Sequence, residues 1–94
     1  MMKITNAMLI TTKGCDACRI QTNILKAVCN ARSIELEVCD FQDAPEWVKT
    51  DVNCTDFPVS VFFHEELIAY HFSGTKTIDE IESIVDDIEN PVIE

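Results

Sequence analysis

The sequence predicts an α/β sandwich: one mixed four-stranded sheet flanked by helices, with elements in the order β-α-β-α-β-β-α. Three observations carry this expectation. A short apolar run hands over directly to a long helical stripe, which is the start of a parallel unit. Two strand-like runs later in the chain lie close enough to form a hairpin. A capped amphipathic helix then follows to cover the sheet. With 94 residues the chain has material for one hydrophobic core, so residues 1–94 read as a single domain in which fold and site share one scaffold.

Taken in order, Ala7-Met8-Leu9-Ile10 suits a buried strand closing in a turn at Lys13-Gly14. From Cys15 the apolar positions Ala17, Ile20, Ile24, Val28 and Ala31 recur three or four apart, and Cys18, Leu25 and Cys29 widen that face of a helix. Ile34, Leu36 and Val38 alternate with Glu35, Glu37 and Cys39, the period of an edge strand with one wet face. Asp43-Ala44-Pro45-Glu46 reads as the start of a short helix, capped by the aspartate and anchored by Trp47 and Val48. Val59 to Phe63 and Leu67 to Phe72, separated by His64-Glu65-Glu66, form the hairpin, whose turn type is open without an Asn-Gly pair. Thr77-Ile78-Asp79-Glu80 has the spacing of a capping box, Ile78, Ile81, Ile84, Val85 and Ile88 line the helix behind it, and Pro91 ends the run.

Composition narrows the partners. The formal net charge is -10 with only seven Lys and Arg, so no basic stripe is present to neutralise a phosphate backbone or an anionic lipid surface. Neither nucleic acid nor membrane is an expected partner. The apolar run near Lys3 is far too short for a signal-peptide core or a membrane span, and the expected location is the cytoplasm. Five cysteines fit a fully paired secreted framework poorly and fit reduced thiols plus one working pair well.

That pair is Cys15 and Cys18. Shuffling five cysteines would give such a spacing roughly one time in five, so location carries the reading. Cys15 falls where a buried strand meets a helix, and its sulfur there faces unpaired backbone donors and the positive end of the helix dipole, both of which favour thiolate. Cys18 lies nearly one turn further on the same face, within reach for a resolving step. Cys15 is therefore the expected nucleophile and Cys18 the resolver. Asp16 opposes ionisation of the neighbouring sulfur while Lys13 and Arg19 favour it. The expected balance is a reductant or mild exchanger. Asp16 has an alternative reading as a helix-start residue that suits the dipole.

Phe57-Pro58 supplies a second signal, a proline at the head of an apolar run, which marks an edge, a turn or a cis bond. With the Cys-x-x-Cys pair at the first strand–helix junction, this makes the chain resemble the thioredoxin superfamily, in its thioredoxin and glutaredoxin-like small domains. The resemblance covers nearly the whole chain in element order. It implies a thioredoxin-like fold and a thiol–disulfide oxidoreductase active in electron transport, with Cys15 and Cys18 as the redox pair and Pro58 as a cis-proline beside them. It further implies substrate binding through the backbone of Phe57, by addition of an extended segment as a strand. Gly74 matches the glycine usual after strand four. The implied partners are a protein disulfide and an external thiol or reductase donor, with no cofactor, and the chain is expected to be a monomer. The pattern departs from thioredoxins at Gly14, where they carry tryptophan, at Asp16-Ala17, and at apolar Leu9 in place of a buried aspartate. It departs from glutaredoxins at Lys13, one residue too close to Cys15, and at Ser73-Gly74-Thr75-Lys76, which argues against glutathione binding.

The remaining chemistry-bearing residues have plainer readings. Cys29 and Cys39 sit on helix and strand patterns as small apolar groups. Cys54, four residues before Pro58, is a candidate for regulatory oxidation. His64 and His71 flank the hairpin rather than the cysteine pair, and read as surface or strand residues. Two other functions stay open: a redox-inactive thioredoxin-like binding module, and a soft-metal carrier holding copper through Cys15 and Cys18.

Overall fold

The computed structural model describes residues 3–90; Pro91 lies outside them. The elements are β1 (Asn6–Thr11), α1 (Asp16–Ala31), β2 (Glu35–Asp40), a 3₁₀ turn (Phe41–Asp43), α2 (Glu46–Val52), β3 (Val59–His64), β4 (Leu67–Ser73) and α3 (Ile78–Glu89). The sheet order is β2-β1-β3-β4. β1 runs parallel to β2, with Leu9 beside Val38, and antiparallel to β3, with Ile10 beside Val59. β3 and β4 form the antiparallel hairpin, with Val59 beside Ser73.

The two central strands are apolar at nearly every position because helices cover both faces of the sheet. Alternation along β1 divides its side chains between two cores. Leu9 joins Leu25, Val28, Phe62, Phe72, Ile81 and Val85 beneath α1 and α3, while Met8 and Ile10 join Val48, Val52, Val59, Val61 and Phe63 beneath α2. β2 lies at the edge, as its period predicts, and Val38 on it is exposed.

Three local expectations are corrected. The buried face of α1 is Cys18, Gln21, Leu25, Val28 and Cys29, rotated from the predicted stripe: Ile20 is 52% exposed and Ala31 is exposed, while a glutamine takes the inward position. In α2, Pro45 is the N-cap residue rather than the first helical one, and no side chain caps the helix. The capping aspartate is Asp40, which serves the preceding 3₁₀ turn by accepting the Gln42 N–H at 3.0 Å. Val48 anchors α2, but Trp47, about 100° further round the helix, is 48% exposed and rests edge-on against Phe63 at 5.9 Å. The hairpin turn is made by Glu65, in the left-handed region at φ 58°, whose N–H donates to Thr5 Oγ1 at 2.8 Å.

The helix ends are well satisfied. Thr77 Oγ1 accepts the Glu80 N–H, and the Glu80 carboxylate accepts the Thr77 N–H, so the predicted capping box forms. Those bonds lower the Glu80 carboxyl below its usual range. α1 ends in a Schellman arrangement: Ile34 N–H donates to the Cys29 carbonyl at 2.8 Å and Ser33 N–H to the Asn30 carbonyl at 3.4 Å, with Ser33 left-handed at φ 57°. Arg32, at the same end, reaches α3, where Glu82, Asp86 and Glu89 line up to receive it.

Candidate redox site

Strand register brings four chain segments to one edge of the sheet. Because Thr11 pairs with Asp40, Ile10 with Val59 and Val59 with Ser73, the ends of β1, β2 and β4 and the start of β3 share that edge. The loop to Cys15, the Asp40-Phe41 turn, Phe57-Pro58 and Gly74 therefore lie along one rim. Gly14, at φ 68°, turns the chain from β1 into α1 in a backbone region that favours glycine.

Cys15 is the N-cap of α1. Its sulfur accepts the Cys18 N–H at 3.1 Å, one of the amide groups that a helix start leaves without a backbone partner. Cys15 and Cys18 form a disulfide with Cα atoms 5.2 Å apart. Cys15 is half-buried at the rim, whereas Cys18 is buried on the inward face of the helix. Of the neighbouring charges, Asp16 and Lys13 are exposed. Arg19 lies 3.6 Å from the Asp16 carboxylate in a solvent-exposed pair, so its charge is directed at Asp16.

The Phe57–Pro58 peptide bond is cis. Pro58 is buried and its carbonyl accepts the Gly74 N–H at 2.8 Å, with Gly74 at φ 82°. The Phe57 ring packs edge-on against Phe41 at 5.6 Å, and Lys49 Nζ lies 4.7 Å from the centre of the Phe41 ring. Among the described residues neither the N–H nor the carbonyl of Phe57 has a hydrogen-bond partner.

Solved structures align to this arrangement over most of the chain. Thioredoxin 1 of the thermophilic eubacterium Thermosipho africanus superposes with a TM-score of 0.72 at 15% identity, covering 87% of this chain and 91% of its own. Thioredoxin f2 of Chlamydomonas reinhardtii gives 0.73 at 12% identity, over 96% and 84%. The oxidised mitochondrial thioredoxin 3 of Saccharomyces cerevisiae gives 0.68 at 16%, over 88% and 79%. The fold is thioredoxin-like. No protein-family model matches the sequence, and no curated protein matches it.

Within this thioredoxin-like fold the other three cysteines, Cys29, Cys39 and Cys54, are free thiols. Cys29 is buried in α1, where burial pushes its thiol up to about 11. Cys39 and Cys54 both pack against the core under α2. Burial raises the Cys39 thiol, with Glu37, Asp43, Asp40 and Cys54 adding to it. Burial also raises that of Cys54, against a smaller opposing pull from the Lys49 ammonium. His64 is at the opposite end of β3, its Nδ1 2.6 Å from the Lys3 carbonyl, and His71 is exposed on β4. Among the described residues no group of three or more His, Cys, Asp or Glu is placed to hold a metal ion, and no helix is long and apolar enough to cross a membrane.

One buried polar residue behind the cysteine pair escaped the sequence reading. Gln21, three positions after Cys18 on the same face, is fully buried, and its Oε1 accepts the Lys76 backbone N–H at 2.8 Å. Among the described residues its Nε2 has no partner, nor does the hydroxyl of Ser60, which is registered with Leu9 and Phe72 in the sheet. The signal available in the sequence was a polar residue at i+3 from Cys18 and i−4 from Leu25, inside an apolar face.

Proposed function

We propose that this protein is a thiol–disulfide oxidoreductase that exchanges the Cys15–Cys18 dithiol and disulfide with a protein disulfide, and is returned to the reduced state by an external thiol or reductase. The observation that carries the reading is the cap: the Cys15 sulfur occupies the N-terminus of α1 and accepts a backbone N–H while bonded to Cys18. A sulfur held there gains more from that donor and from the helix dipole as a thiolate than as a thiol.

The Cys15 thiolate attacks one sulfur of the partner disulfide. A mixed disulfide forms as the partner's other sulfur leaves as thiolate and takes a proton from solvent. Cys18, losing its proton, then attacks the Cys15 sulfur; the Cys15–Cys18 bond closes and the second partner sulfur leaves. Two electrons pass from the dithiol to the partner, whose disulfide becomes two thiols. The partner's chain docks at Phe57, whose free N–H and carbonyl suit main-chain pairing with an extended segment. Lys13 and Arg19 favour ionisation of the Cys15 sulfur and Asp16 opposes it, and their partial cancellation suits a reductant or mild exchanger.

Equilibration with a dithiothreitol redox series, followed by turnover of insulin disulfides, tests the proposal. A reversible two-electron midpoint with turnover is expected. Tight copper binding without turnover would support metal carriage instead, and neither midpoint nor turnover would leave a binding module.

A further inference from the structure

We infer that Gln21 is a positioning residue that sets the backbone of the Phe57-Pro58 docking segment relative to the cysteine pair. The inference rests on the redox reading above and extends it to a residue that hydrogen-bonds to neither sulfur. Gln21 is on the helix that carries the pair, one turn behind Cys18, and its Oε1 holds the Lys76 N–H at 2.8 Å. Two residues before Lys76, the Gly74 N–H holds the Pro58 carbonyl at 2.8 Å. Two hydrogen bonds and the segment 74–76 thus connect α1 to the docking loop. Lys76 is also held from its side chain, with Nζ 5.3 Å from the Phe72 ring centre.

The chemistry of the position supports a role beyond packing. A buried amide satisfied at only one end is less favourable than an apolar side chain of similar size, yet Gln21 is fully buried with Nε2 unpartnered. Its carbonyl oxygen is the part in use. The segment it holds follows Gly74 at φ 82°, where the backbone has wide conformational freedom, so a fixed point at Lys76 restricts where the Gly74 N–H, and with it Pro58, can sit.

Gln21→Met keeps the volume and removes the acceptor; Gln21→Glu keeps an acceptor oxygen. In the full-length protein, kcat/KM for insulin disulfide is expected to fall about tenfold in Gln21→Met, mainly through KM, because docking geometry is lost while the sulfurs are unchanged. Reduction of 5,5′-dithiobis(2-nitrobenzoate), which needs no backbone docking, is expected to change by less than about twofold. Gln21→Glu is expected to recover most of the insulin activity. Amide hydrogen exchange in oxidised Gln21→Met is expected to accelerate at both Lys76 and Gly74, and this readout does not depend on activity. Equal losses on both substrates, or unchanged activity on both, would overturn the inference, as would undiminished protection at Gly74. A wild-type protein inert to both disulfides would refute the redox reading itself, and the exchange result would still decide whether the connection exists.

Discussion

Replacing Arg32 with methionine should cost this fold about 2–2.5 kcal/mol, a large share of the stability of a domain this size. The guanidinium connects the end of α1 to α3: Nε donates to Glu82 Oε2 at 2.8 Å, one terminal nitrogen donates to Asp86 Oδ1 at 2.8 Å, and the other lies 3.7 Å from Glu89 Oε1. These bonds raise the Arg32 pKa above its ordinary value. The Arg32 and Glu82 side chains are 21% and 34% exposed, so their charge-assisted bond is worth about 1–1.5 kcal/mol. Asp86 is 59% exposed, and its pair is discounted for solvent to about 0.5 kcal/mol. Removing the cation also leaves three carboxylates at i, i+4 and i+7 spacing, whose mutual repulsion adds about 0.5 kcal/mol. Methionine retains much of the stem's packing, so the loss measured is chiefly polar. Urea denaturation is the suitable assay, because guanidinium chloride would screen the charges being tested. The midpoint should fall with m unchanged, and a double-mutant cycle with Glu82→Gln should give a coupling of about 1 kcal/mol. A change below about 0.5 kcal/mol would refute the reasoning and place the α1–α3 contact in the apolar core alone.

Two further perturbations test other parts of the structure. Ser33→Gly should stabilise the protein by about 0.5–1 kcal/mol in the same assay, since the left-handed φ of 57° at the end of α1 disfavours a side chain; a destabilised variant would contradict the cap geometry. Cys29 has a thiol raised from 9.0 to about 11 by burial, so the folded chain retains its proton where the unfolded chain loses it. Its contribution is complete below pH 9 and is lost as pH rises to about 11. The alkaline decline in stability should therefore flatten in Cys29→Val between those limits, and an identical decline would show that Cys29 does not cause it.

What could be read in the sequence follows local rules. The capping box at Thr77 and Glu80, the hairpin and the strand before Cys15 each depend on neighbours a few residues apart, and each forms where its pattern lies. Tertiary partners decided the rest. Ile20 belongs to an apolar period yet faces solvent, while Gln21 turns inward because its oxygen meets an amide 55 residues away; no window along α1 contains that donor. Trp47 is a plausible anchor by size, but the adjacent Val48 takes the inward position and leaves the indole at the margin. The cysteine pair was legible because its chemistry depends on one helix turn. The rim that gathers Phe57-Pro58, Gly74 and the loop to Cys15 was not readable from residue pattern alone, since it is assembled by strand register, and the expectation that Phe57 binds substrate came from family resemblance.

Trapping separates the proposed roles of the two sulfurs, Cys15 as nucleophile and Cys18 as resolver. Reduced Cys18→Ser and Cys15→Ser proteins are each mixed with a disulfide-bonded protein, quenched with an alkylating agent and resolved without reductant. A stable mixed disulfide is expected at Cys15 in Cys18→Ser and little or none in Cys15→Ser. Equal trapping by both variants, or adducts only through Cys18, would contradict those roles.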